Sequence, residues 1–98
     1  MTEESESSGL YWKVTHVHDD EDARDVGRYG PGVPEADTSL PLLWQWGSYD
    51  DDGNLMALGG AANVDSCEYA HEFCAANWGC TRTEIREGLS GPWQEFIS

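Results

Sequence analysis

The sequence predicts an α+β domain: a small antiparallel sheet of three to four strands with one main helix packed on one face. Three observations carry this reading. "LYWKVTHVH" at 10–18 alternates as a strand does. "LLWQWGSYDDDGNLMAL" at 42–58 places two apolar runs around an Asp-rich turn. "DSCEYAHEFCAANWG" at 65–79 has the spacing and the end signals of a helix.

Residues 1–9 read as a flexible acidic tail, and 10–98 as a single α+β domain. In the first strand Leu10, Trp12, Val14, His16 and His18 fall on one face. Tyr11, Lys13, Thr15 and Val17 fall on the other. "DDEDARDVGRYG" then predicts a short helix over 19–30. Its acids occupy the first turn, Arg28 the last, and Gly30 offers a stop. "GPGVPEADTSLP" is an irregular connection. The next strand, 42–49, carries Trp44 and Trp46 on one face, which reads as core. Asp-Gly in the turn supplies a residue tolerant of positive φ, and 55–58 returns. Asp65 is the expected N-cap of the main helix, with Glu68 completing a capping box and Val64 and Tyr69 at the staple positions. Cys67, Ala70, His71, Cys74 and Trp78 lie along one stripe, and Gly79 ends the element. "TRTEIRE" alternates as a further strand. "SGPWQEFIS" reads as a short helix capped by Ser90, with Pro92 in its first turn.

Composition bounds the class. The chain has 98 residues, 39% of them hydrophobic, with five Trp. That is one domain with enough apolar side chains for a core, and too apolar for a disordered chain. No apolar run approaches the roughly 18 residues of a membrane span. The polar, acidic start "MTEESESSG" is not a signal-peptide pattern. Three cysteines, an odd number, do not make a complete disulfide framework. A reducing, cytoplasmic compartment is the expectation, that of the host cell if a mobile element encodes the chain.

Charge is the outlier. Nineteen Asp and Glu face five Lys and Arg, for a net charge of −14. No Lys or Arg occurs between Arg28 and Arg82. Glu35, Asp37, Asp50, Asp51, Asp52, Asp65, Glu68 and Glu72 all lie inside that gap. "HDDEDARD" adds Asp19, Asp20, Glu21, Asp22 and Asp25. Helix starts and turns favour a few acids, but fewer than these clusters hold. Such a field repels nucleic acid and anionic lipid and attracts basic surfaces. Its −14 matches the phosphate charge of about seven base pairs of duplex.

Catalytic patterns are missing. No G-x-S-x-G elbow and no G-K-[ST] phosphate loop occurs. Carboxylates in loops and helix starts stay ionised in water, which suits no acid–base pair. Cys67, His71, Cys74 and Cys80 make a legal zinc composition. However, Cys67 and Cys74 stand about 10.5 Å apart along one helix at 1.5 Å per residue, too far to share an ion, which leaves only a site from Cys67 and His71, or His71 and Cys74, with Cys80 or a strand His. The thiols read instead as small buried hydrophobes. His16 and His18 are at most a weak metal pair, since a neighbouring acidic loop ordinarily just raises a histidine pKa. "DDDGN" lacks the alternating Asp and the closing Glu of a calcium loop. No cofactor and no metal are expected.

The functional expectation is a non-catalytic acidic inhibitor that occupies a basic, nucleic-acid-binding surface of a partner enzyme. It would bind neither nucleic acid nor membrane directly. Its contact residues would be Asp19, Asp20, Glu21, Asp22, Asp25, Asp50, Asp51 and Asp52, supported by Glu35, Asp37, Glu68 and Glu72, with Tyr29 or Tyr49 as anchors. In type the chain is similar to the small acidic proteins that mobile elements direct against restriction or CRISPR systems. An immunity or antitoxin protein for a basic nuclease toxin uses the same electrostatics. The same composition also fits a small zinc-binding module, or a cytosolic protein whose acidity is plain adaptation to salt.

Overall fold

A computed structural model describes residues 9–18, 26–27, 38–88 and 90–97. Its strands are β1 (Trp12–Val17), β2 (Trp44–Tyr49), β3 (Leu55–Ala61), β4 (Arg82–Glu87) and β5 (Gln94–Ile97), and its helix is α1 (Val64–Trp78). All strand pairs are antiparallel, in the order β1-β3-β2-β4-β5. The α+β reading holds: one antiparallel sheet with the helix packed against it. The sheet has five strands rather than three to four.

Small residues on the inner strand explain the core. Ala57, Gly59 and Ala61 of β3 face α1. Trp12 of β1 pairs with Ala61, and Trp46 of β2 pairs with Gly59. The missing bulk on β3 is filled by the two indoles, both fully buried. Their rings meet edge to face at 6.1 Å. Phe73 of α1 lies 5.2 Å from Trp12, and Trp78 lies 5.6 Å from Phe73. This aromatic ladder ties sheet to helix. Trp46 Nε1 donates to Gly60 O at 3.1 Å, so its polar edge is satisfied. Trp44 is half-buried and packs against the same core, in keeping with its expected place on the inner side of β2.

Four local expectations need correction. The N-cap of α1 is Asn63, not Asp65. Its Oδ1 accepts from Ser66 N at 2.9 Å and from the Ser66 hydroxyl at 2.6 Å, while its Nδ2 donates to Gly9 O at 2.7 Å. Asp65 instead sits exposed in the first turn, where its charge complements the helix dipole. Secondly, "SGPWQEF" ends in a strand, not a helix. Pairing with β4 outweighs the local Ser-Pro signal. Thirdly, β1 carries a bulge between Val14 and His16. The alternation shifts there, so Val17 is buried and His16 exposed, the reverse of the simple period-2 reading. Fourthly, the predicted helix over 19–30 does not run through 26–27. The chain turns there with Gly27 at φ 93, and Gly27 N donates to Val14 O at 2.8 Å. The rest of that predicted helix lies outside the described residues.

Among the described residues no helix covers the other face of the sheet. Leu55, Leu58 and Trp93 gather there over Gly47, and Leu42 lies over Gly60. Among the described residues no helix is long and apolar enough to cross a membrane.

Candidate functional site

The predicted acidic surface divides into three parts. Asp19, Asp20, Glu21, Asp22, Asp25, Glu35 and Asp37 lie outside the described residues. Asp50, Asp51 and Asp52 form the tip of the β2–β3 hairpin. Glu68 and Glu72 stand exposed one turn apart on α1, on the side away from the sheet.

At the tip the three carboxylates do different work. Asp50 accepts from Asp52 N and Asn54 N, each at 2.9 Å, and from Asn54 Nδ2 at 3.2 Å. Gly53, at φ 85, donates its N–H to Asp50 O at 3.0 Å. The hydrogen bond from the Asn54 backbone holds the Asp50 carboxyl below its ordinary 3.8. Asp50 therefore shapes the turn, while Asp51 and Asp52 stand free in solvent.

The tip and the end of α1 lie at the same end of the sheet. Gly79 closes the helix at φ 67 with its N–H on Ala75 O at 3.1 Å. Two residues later Thr81 N donates to Tyr49 O at 2.9 Å, joining that exit to the hairpin. An open cleft of about 250 Å³ lies between them, lined by Asp50, Asp51, Gly53, Thr81 and Arg82. The last turn of α1 has no basic residue, so its carbonyl ends keep their partial negative charge.

Positive charge reaches this cleft through Arg82. Among the described residues the cations are Lys13, Arg82 and Arg86, and strand alternation puts all three on the sheet face that α1 does not cover. Arg82 lies over the Tyr49 ring at 4.4 Å and near Glu84 at 3.7 Å. Arg86 lies over the Trp93 ring at 4.6 Å and donates from Nε to Gln45 Oε1 at 2.6 Å. Tyr49, expected as an anchor, is half-buried beneath Arg82; burial, then Glu84, raises its pKa. Tyr29 lies outside the described residues.

A second constellation went unread in the sequence. The fully buried Ser48 and Thr83 hydroxyls meet across β2 and β4 at 2.6 Å. His71 Nδ1 meets Thr83 Oγ1, also at 2.6 Å. The Thr83 hydroxyl has one proton, so it donates to at most one of these two neighbours. Burial holds the His71 pKa below 6.5, against the pull of Glu72 and Glu68. The neighbouring Cys80, then burial, raises the Cys74 pKa, and Ser48 opposes the rise. One signal was available: Ser48 keeps the inward phase of Trp44 and Trp46, and Thr83 that of Ile85. Their mutual contact depends on strand register, which the sequence does not display.

Chemically the network is closed. Ser48, Thr83, Cys67 and Cys74 have no exposed surface, and burial pushes the Cys67 thiol up to about 12. Such groups are inert toward an outside substrate. Among the described residues no three His, Cys, Asp or Glu side chains converge as a metal site would require. Compared with known proteins, the chain matches no family model, no curated protein and no solved structure.

Proposed function

We propose that this protein is a non-catalytic acidic inhibitor that seats on a basic, nucleic-acid-binding surface of a partner enzyme and takes the place of a phosphate backbone. One observation carries the reading. The hairpin tip and α1 present Asp51, Asp52, Asp65, Glu68 and Glu72 to solvent, and no Lys or Arg occurs anywhere from Tyr29 to Thr81. A predominantly negative field over two adjoining elements, with Arg82 at the cleft between them, steers a basic partner and raises the association rate. Once docked, free carboxylates take charge-assisted hydrogen bonds from Arg and Lys. Asp51 and Asp52 are the contacts of choice, because Asp50 is committed to the turn.

The test is capture followed by inhibition. The immobilised protein should retain a nucleic-acid enzyme from host lysate at low salt and release it to short duplex DNA. The purified enzyme should then lose activity at a one-to-one ratio. Asp51→Lys with Asp52→Lys should keep the far-UV spectrum and weaken binding about tenfold, which is about 1.4 kcal/mol. An unchanged dissociation constant, or a complex that duplex DNA leaves intact, sinks the reading.

A further inference from the structure

Cys74 and Cys80 are drawn together at the point where α1 becomes β4. Both are buried, Cys74 completely and Cys80 with 4% of its surface exposed. Both belong to the same buried core cluster. Their backbones are linked as well, with Cys80 N donating to Cys74 O at 3.5 Å. The left-handed Gly79 creates this geometry by turning the chain back over the last helical turn. Two residues joined by a main-chain hydrogen bond across a left-handed cap, with both side chains buried in one cluster, have the proximity that a disulfide needs. The third cysteine, Cys67, lies two turns earlier on α1. We infer that Cys74 and Cys80 are a reversible oxidation site, which closes as a disulfide across the α1–β4 junction when the protein meets a peroxide.

The two thiols have different roles. Cys80 keeps 4% of its surface exposed and Cys74 none, so an oxidant reaches Cys80 first. The neighbouring Cys74 also lowers the Cys80 pKa and so favours its thiolate, while Cys80 and burial raise that of Cys74. The Cys80 sulfur attacks one peroxide oxygen, the O–O bond breaks, and water leaves. Cys80 is then a sulfenic acid, oxidised by two electrons, and the peroxide is reduced. The Cys74 sulfur displaces the hydroxyl from Cys80, forming the S–S bond and releasing a second water. A dithiol reductant reverses the change by thiol–disulfide exchange.

The consequence is local. The disulfide ties the end of α1 to Cys80, the residue before Thr81, which lines the acidic cleft and holds Tyr49. Oxidation would therefore rigidify the exit that positions the hairpin tip. This inference stands independently of what the acidic surface binds.

The experiment exposes the intact, folded chain to hydrogen peroxide, then alkylates it in denaturant and reads the intact mass before and after dithiothreitol. The expected product is monomeric, lighter by two hydrogens and alkylated at Cys67 alone, with peptide mapping placing the bond between Cys74 and Cys80. Cys74→Ser should trap Cys80 as a sulfenic acid that dimedone labels. Cys80→Ser should leave Cys74 unoxidised. Far-UV spectra of both variants check that they fold, and the wild-type mapping decides the matter if either does not. Three alkylatable thiols after peroxide, a bond that includes Cys67, or disulfide-linked dimers as the main product would each overturn the inference.

Discussion

At the scale of single residues, two glycines separate a rigid neighbour from a soft one. A Cβ on Gly59 would fall on the Lys13 carbonyl oxygen and come within 2.5 Å of the buried Trp46 ring. Neither can retreat, since the oxygen is backbone and the indole is wedged in the core. Gly59→Ala should therefore cost about 3 kcal/mol or more in urea unfolding, at the upper end for overpacking. On Gly47 the added carbon meets Leu58 Cδ2 at 3.0 Å and Leu55 Cδ1 at 3.3 Å, the free ends of flexible side chains. Gly47→Ala should cost less than half as much, and equal costs would refute this account of the sheet. His71 gives the second residue-scale test. Its folded pKa lies below 6.5 because of burial. Above 6.5 both folded and unfolded chains hold a neutral ring, and the full stability is present. As pH falls below 6.5 the unfolded chain takes up a proton that the folded chain resists. Stability therefore declines through that window and levels off below the folded pKa. His71→Gln should be the flatter of the two when melting temperature is followed between about pH 7 and pH 5. A wild-type profile as flat as the variant's would count against a half-buried, neutral His71.

At the scale of elements, the start of α1 shows what a local signal resolves and what it misses. Asn63 and Asp65 are both good capping residue types, and the chain uses Asn63 because its amide also reaches Gly9 O beside β1. Asn63→Ala should cost about 1–2 kcal/mol of stability, with loss of helical signal at the first turn. Asp65→Ala removes only an exposed charge near the dipole and should cost about 0.5 kcal/mol. If denaturant unfolding shows the reverse order, the cap has been misassigned. The same contrast explains how far the fold was legible. The hairpin and the helix were, because each is encoded by neighbours in sequence: Asp-Gly between two apolar runs, and a stripe from Cys67 to Trp78 ended by Gly79. The bulge in β1 was not, since it reflects fitting Val14 and His16 to a partner strand. β5 was not, because Ser90-Gly-Pro92 carries a local helix signal that pairing with Glu84 and Ile85 overrides. Of the acidic site, the exposure of Asp51, Asp52, Glu68 and Glu72 was readable from charge alone. The structural role of Asp50 needed the turn geometry. The Ser48–Thr83 contact joins residues 35 apart in sequence, and only the register brings them together.

At the scale of the whole molecule, the net charge of −14 is a cost that folding must carry. Compacting like charges raises their mutual repulsion, and added salt relieves it. The screening length falls from about 10 Å at 0.1 M salt to about 3 Å at 1 M, shorter than the spacing between most surface groups. The wild-type protein should therefore melt higher as sodium chloride rises over that range, by about 4 °C or more if screening recovers about 1 kcal/mol. Where the repulsion originates decides the outcome for a variant. Asp51→Lys, Asp52→Lys, Glu68→Lys and Glu72→Lys together add eight charges, taking −14 to −6. None of the four side chains is buried, so the changes reach the field without disturbing the core. If the hairpin tip and the outer face of α1 are the source of the field, this variant should start with a higher melting temperature at low salt and gain little from added salt. Parallel salt curves for the two proteins would mean that the repulsion comes from the rest of the chain. The tip and helix would then be an ordinary part of an evenly acidic surface, and the case for them as a contact face would fail with it.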